Sequence, residues 1–253
     1  AAASEAAAQR KDVTVGVIES LTGPVALAGS TNACGFRVAA DMLEAEGRPK
    51  NYKLVLNLVD DQSRPAHAVQ SVTKLTSEGI KIVLGGTSTF TVMSALPVLN
   101  DAGVLYTGGV VKADDLLKTK GHVLRLNSST AMDGKIIADH VAGKLGAKKI
   151  AFVAQQGAYA DGALAAIKAS LPAGAAITET FLVPVDTSSF QPVLTSLAAS
   201  KPDAVIYGIF GTTQAVAFLR QYKQANLGAP LVATSGILNI STTKAAAGAA
   251  DGV

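Results

Sequence analysis

Two glycines, three hydroxyl side chains and an aromatic follow one another in IVLGGTSTF, residues 82–90. An apolar run precedes them and a helix-like stretch follows, so they fall where a strand hands over to a helix. Such residues at such a turn suit four chemistries: a phosphate cradle, a serine nucleophile, a plain turn, or a seat for another anion. Neither GxxxxGK[ST] nor GxGxxG occurs at a strand-to-helix turn, and no lysine follows the glycines, which argues against the cradle. GxSxG is absent, and the three histidines, His67, His122 and His140, fall in two helix-like stretches and at a strand start. No HExxH or comparable spacing offers a metal site. Asp60 and Asp61 close a strand, where turn and capping roles compete with metal binding. No enzyme activity, metal or cofactor is expected.

An anion seat remains. The glycines let backbone N–H groups come close to a ligand. The first turn of the following helix offers unpaired N–H donors at the positive end of the helix dipole. Ser88 and Thr89 add hydroxyl donors. The competing reading, that Ser88 or Thr89 caps the helix, is compatible with the seat.

The elements that must hold this segment alternate throughout. Strands are expected over 13–18, 53–59, 80–84, 104–107, 122–126, 149–153, 176–183, 204–207 and 230–233. Helices are expected over 31–46, with Phe36, Ala39, Ala40 and Leu43 inward, then from Pro65 to 77, from the GGTST turn to about 100, and over 132–145, 161–170, 190–199 and 212–225. Gly146 and Gly228 mark two helix ends. This alternation predicts parallel sheets with helices on both faces. The chain also echoes itself: IVLGGTST at 82–89 and VIYGIFGTT at 205–213 share a strand, glycine, threonine and helix order. Two α/β lobes are therefore expected, 12–125 and 126–253, divided near 125–127.

Bulk properties narrow the partners. With 253 residues, 49% of them hydrophobic and only 5% aromatic, the chain suits Ala-rich helices packed on sheets. Its net charge of +3 comes without a Lys/Arg block, so nucleic acid is not an expected partner. No apolar run reaches the roughly 20 residues that span a bilayer. The single cysteine, Cys34, excludes an intramolecular disulfide and is expected to be a small buried hydrophobe. The opening AAASEAAAQRKD lacks the apolar core of a signal peptide and is set aside up to residue 11.

Several segments together resemble the leucine/isoleucine/valine-type periplasmic solute-binding proteins, the receptors of branched-chain amino-acid ABC transporters. They are VGVIESLTGPVALAG (15–29), LVLNLVDDQSRPAHAVQSVTKL (54–75), IKIVLGGTSTFTVMSALPVLNDAGVLYTGG (80–109), LRLNSSTAMDG (124–134), KKIAFVAQQGAYADG (148–162) and KPDAVIYGIFGTTQAVAFLRQ (201–221). No single piece is decisive, but their order covers nearly all of 13–253. The resemblance implies two Rossmann-like lobes joined by a hinge, with a ligand in the cleft whose binding closes them. It also implies a monomeric periplasmic protein, exported by a signal peptide, that delivers its ligand to an inner-membrane ABC permease.

Site positions carry over one at a time. The groups that hold a ligand carboxylate fall at Ser88 and Thr89. The next strand end falls at Val110, Val111 and Lys112. A tyrosine of the second lobe falls at Tyr159, an aromatic at Phe210, and the acid that takes an α-ammonium at Ser235. A serine cannot compensate an ammonium, and Lys112 adds a cation where a neutral residue is usual, so an aromatic or aliphatic organic acid is the expected ligand. A branched-chain or other amino acid, or an amide- or urea-type ligand of a sensor with this fold, is the alternative. Phe90, Tyr106, Tyr159, Tyr207 and Phe210 lie near strand ends and are candidates to pack a ring or acyl chain, against core packing as the competing role. Family chains continue well past the segment matching 234–253, so a fragment or a smaller first lobe is expected.

Overall fold

The computed structural model describes residues 10–209, 211–235 and 240–253, and its contacts divide the chain into two α/β units. The first comprises the chain up to Val111 together with Thr119–Leu126; the second comprises Lys112–Lys118 and Asn127–Val253.

In the first unit β1 (Lys11–Glu19) leads to α1 (Ala26–Ala45), β2 (Tyr52–Asp60), α2 (Pro65–Ser77), β3 (Ile82–Gly85), α3 (Thr89–Asp101), β4 (Leu105–Gly108) and, after an excursion into the second unit, β5 (His122–Arg125). The five strands pair in parallel in the order β2-β1-β3-β4-β5. β1 is rich in β-branched residues, and Val15, Val17 and Ile18 are buried. Pro65 takes the first position of α2, where its missing N–H costs nothing, and Ala68, Val72 and Leu75 line the buried face at helical spacing. The register sets Ile18 opposite Gly85 and Glu19 opposite Asp60, so the carboxyl ends of β1, β2 and β3 share one edge. The order reverses between β1 and β3, the position where open α/β sheets receive ligands.

In the second unit a 3-10 turn (Asp114–Lys118) and α4 (Thr130–Ala138) precede β6 (Lys149–Gln155), α5 (Ala158–Ser170), β7 (Ala176–Val183), α6 (Gln191–Ser200), β8 (Ala204–Gly208), α7 (Thr212–Ala225), β9 (Leu231–Ala233) and α8 (Ile240–Ala246). The strand order is β7-β6-β8-β9, all parallel, with the reversal between β6 and β8. Central strands β6 and β8 are buried almost end to end, as a sheet covered on both faces requires.

Three local expectations are corrected. Cys34 is exposed, because the face of α1 that turns inward carries Gly29 and Ala33. Ala39 is likewise exposed, while Phe36, Ala40 and Leu43 are half-buried. The α-helical part of the 132–145 segment ends at Ala138 and continues as a π-helical turn over Asp139–Lys144. α7 spans the expected 212–225 and ends at Ala225, where Asn226 takes the left-handed conformation (φ 47°) that asparagine tolerates.

Candidate functional site

The GGTS turn leaves β3 at the strand-order reversal. Gly85 and Gly86 have φ of 103° and 91°, which glycine alone adopts readily. Their space is full: a Cβ on Gly86 would lie 2.2 Å from Val92 Cγ2, and one on Gly85 would lie 2.5 Å from the Ile18 carbonyl oxygen. The Gly86 N–H donates to the Ile18 carbonyl at 2.7 Å. The expected use of these glycines is therefore corrected: they let the turn close on β1, and the Gly86 N–H is committed there.

Ser88 caps α3, its Oγ accepting from the Thr91 N–H at 3.2 Å. An accepting hydroxyl keeps its own proton to donate, so cap and anion donor are compatible roles. Thr89 is buried, so its backbone N–H in the first turn is what it offers. The donors at this turn are the Ser88 hydroxyl and the first N–H groups of a 13-residue helix, the kind of group that can receive an anion. Val110 is exposed just beyond β4, and Val111 beside it is buried.

Beneath this turn lies a cluster of buried acids and hydroxyls that sequence reading missed. Thr87 Oγ1 accepts from the Ser20 N–H at 2.9 Å and donates to Glu19 Oε2 at 2.5 Å, and Asn32 Nδ2 donates to the same oxygen at 3.3 Å. Ser20 Oγ donates to Asp61 Oδ1 at 2.5 Å, and the Ser63 N–H donates there at 2.8 Å. Glu19 is 1% exposed. Burial pushes its carboxyl up to about 7, against the hydrogen bonds from Thr87 and Asn32, and the nearby Asp61 charge adds to the rise. Asp60 plays the turn role: it accepts from the N–H groups of Leu21, Thr22 and Gln62 and from the Thr22 hydroxyl. No metal-binding group of His, Cys, Asp or Glu occurs among the described residues.

At the carboxyl edge of the second sheet, three of the residues carried over from the family are brought together: Lys112, Tyr159 and Ser235. Lys112 Nζ lies 2.6 Å from Asp133 Oδ2, 3.0 Å from Ser128 Oγ and 2.5 Å from Ser235 Oγ. Ser235 Oγ donates to Asp133 Oδ2 at 2.5 Å and Ser128 Oγ to Asp133 Oδ1 at 2.8 Å. The Lys112 and Asp133 side chains are 11% and 10% exposed. Burial pushes the Asp133 carboxyl up, but the hydrogen bonds from Lys112, Ser235 and Ser128 outweigh it and hold the group below the usual range. Tyr159 stands in the first turn of α5, and burial pushes its hydroxyl up to about 12, the neighbouring Thr234 hydroxyl opposing. Local sequence places Asp133 itself: Ser129 caps α4, accepting from the Met132 N–H at 3.0 Å, and an acid in a first helical turn is a common helix-start signal.

The profile of the family described as periplasmic binding protein matches residues 12–253. The chain belongs to that family. Periplasmic binding proteins are a solute-binding, non-catalytic class. The chain is 29% identical over 238 residues to Leu/Ile/Val-binding protein homolog 3 of Brucella melitensis, covering 92% of this chain and 64% of that one. It is 33% identical over 202 residues to the Leu/Ile/Val-binding protein BraC3 of Rhizobium johnstonii, covering 78% and 54%. The chain thus spans less than two thirds of the length of these relatives. Among solved structures, the Streptococcus pneumoniae substrate-binding protein LivJ in complex with isoleucine superposes with a TM-score of 0.84 at 22% identity, over 93% of this chain and 68% of that one. A Rhodopseudomonas palustris solute-binding protein in complex with benzoate gives 0.83 at 24% identity, over 96% and 67%.

Two aromatic candidates are corrected. Tyr106 is fully buried and donates to the Gly85 carbonyl at 2.8 Å. Tyr207 is fully buried and stacked on Phe218 with centroids 5.3 Å apart. Both are core residues of strands covered on two faces. Phe90 is 45% exposed at the start of α3. Phe210 lies outside the described residues. The expectation that Lys112 brings uncompensated charge is also corrected, since Asp133 neutralises it at 2.6 Å.

Proposed function

We propose that this protein is a solute-binding receptor of an ABC importer, working in the periplasm and presenting a small carboxylate-bearing solute to an inner-membrane permease. The observation that carries this reading is the donor set at the start of α3, placed at the strand-order reversal of a chain in the periplasmic binding protein family. Ser88 and the Thr89 N–H receive the carboxylate, and Val110 flanks them. In the second unit Tyr159, Ser235 and Lys112 supply contacts, and Phe210 is a further candidate.

The curated relatives favour a branched-chain amino acid as the solute, since they are named for leucine, isoleucine and valine. The organic-acid reading loses its electrostatic support with the neutralisation of Lys112. It retains one specific support: Lys112 already engages the Asp133 carboxylate and the Ser235 hydroxyl, the groups that would otherwise meet an ammonium.

A thermal-shift and calorimetric screen tests both. L-leucine, L-isoleucine and L-valine are compared with 4-methylpentanoate, benzoate and 4-hydroxybenzoate, with glucose as a control. A ligand that binds only the native state raises its stability by RT ln(1 + [L]/Kd), about 2.7 kcal/mol at a hundredfold excess over Kd. Stabilisation by carboxylates and not by glucose is expected. Failure of every carboxylate to bind would remove the proposal.

A further inference from the structure

The second unit holds a charged cluster in which every acceptor already has a donor. Asp133 Oδ2 receives Lys112 and Ser235, Oδ1 receives Ser128, and Ser235 Oγ also accepts from Lys112. These residues come from four separate places in the chain: the start of the 112–118 excursion, the approach to α4, its first turn, and the segment beyond β9. The cluster stands at the carboxyl edge of the sheet, the ligand-receiving edge of open α/β sheets. Lys112 and Asp133 are nearly buried, whereas Ser235 is exposed and forms the outer face of the group. A side chain ending in an ammonium thus sits on a carboxylate and a hydroxyl, which is also the acceptor set that a free ammonium would choose.

We propose that Lys112 is a tethered ammonium that competes with a ligand's ammonium for Asp133 and Ser235, and so sets how strongly the receptor discriminates between an amino acid and the same acid without its amino group. This rests on the carboxylate-receptor reading above. An ammonium arriving at Ser235 meets the Lys112 cation at hydrogen-bonding distance from the same oxygen. It gains the Asp133 carboxylate only by displacing Lys112. A carboxylate ligand lacking the ammonium asks for neither step. Removing the Lys112 charge converts the cluster from an occupied acceptor set to an open one with a net negative charge.

The matched probes are L-leucine and 4-methylpentanoate, which share carbon skeleton and carboxylate and differ in the ammonium. Their affinities are measured calorimetrically on the wild type, Lys112→Met, Lys112→Arg and the double variant Lys112→Met with Asp133→Asn. The ratio of leucine to 4-methylpentanoate affinity is expected to rise about ten- to a hundredfold in Lys112→Met, the worth of a hydrogen-bonded charge contact. It should stay near the wild-type value in Lys112→Arg, which keeps the pair, and the gain should vanish in the double variant. An unchanged or lowered ratio in folded Lys112→Met overturns the inference while leaving the receptor reading intact. Failure of wild type and Lys112→Met alike to bind either acid overturns the inference, and failure of every carboxylate in the screen above overturns the receptor reading as well. The wild type itself supplies a variant-free readout by NMR of the 15N-labelled lysine Nζ. Saturation with leucine is expected to shift the Lys112 signal as it leaves Asp133, and 4-methylpentanoate to leave it in place. A Lys112 signal that responds identically to both bound acids would refute the competition.

Discussion

The two sheets solve one problem, a buried carboxylate at the carboxyl edge, in opposite ways. In the first unit Glu19 is met, among the described residues, by the neutral donors Thr87 and Asn32, with Asp61 nearby, and its carboxyl is pushed up to about 7. In the second unit Asp133 is met by a cation as well as by two hydroxyls, and its carboxyl is held below the usual range. Burial acts upward on both, so the cation and the fuller donor set decide the sign. Glu19 is thus poised to hold a proton at mildly acidic pH, where Asp133 is ionised.

The largest effect comes from breaking the pair in the second unit. Asp133→Leu leaves the Lys112 ammonium nearly buried without its counter-charge, which costs about 3–5 kcal/mol for a buried pair. A denaturant titration should show the loss in midpoint at unchanged slope. The double change Lys112→Met with Asp133→Leu should recover most of it, because removing both charges also removes their desolvation cost. A single-variant loss below that of an ordinary surface change would show that the pair is solvated in solution.

The next effect separates the two carboxylates by pH. A group with a raised folded pKa stabilises below its unfolded value and loses that contribution as pH rises through the folded value. For Glu19 the window runs from 4.5 to about 7. At about 1.4 kcal/mol per unit, the loss amounts to at most about 3.5 kcal/mol. Asp133 has the opposite sign: its contribution is present above the unfolded value and is lost as pH falls through the depressed folded one. Glu19→Gln should therefore flatten the fall in stability between pH 4.5 and 7 and raise the melting temperature at pH 8. A variant with the wild-type pH slope in that window would reassign the titration to another group.

Ser88→Ala probes the first unit's turn at smaller scale. Loss of the cap should cost about 1 kcal/mol of stability. If the hydroxyl also meets the ligand carboxylate, affinity for carboxylates falls in addition, whereas Ser88→Thr keeps both. A stability loss with unchanged affinity would confine Ser88 to capping.

These contrasts were unevenly legible in the sequence. The strand–helix alternation fixed the order of elements because buried parallel strands and amphipathic helices have different periods. The position of the GGTS turn followed from its residue types, but its glycines serve close packing on β1, a long-range contact that no local pattern carries. Lys112 and Ser235 are 123 residues apart and each reads locally as a solvated polar residue. Asp133 was hidden by an ordinary role, since an acid after a serine cap looks like a helix-start signal. For Tyr106 and Tyr207 the sequence leaves ligand packing and core packing open for the converse reason. A tyrosine near the end of a strand buried on both faces has the same sequence signature as one facing a ligand.

Those two tyrosines give the smallest and sharpest comparison between the units. Both are fully buried on central strands, and burial pushes both hydroxyls up. Tyr106 donates to the Gly85 carbonyl and so ties β4 to the turn that carries Ser88. The Tyr207 hydroxyl has no hydrogen-bond partner among the described residues, although its ring is well packed on Phe218. Removing a satisfied hydroxyl strands its acceptor, whereas removing an unsatisfied one relieves a desolvation cost. Tyr106→Phe should therefore lose about 1 kcal/mol, and Tyr207→Phe should lose nothing measurable or gain a few tenths. Equal losses in the two variants, read from denaturant midpoints, would mean that the Tyr207 hydroxyl finds a partner in solution, a buried water being the species with the right size and donors.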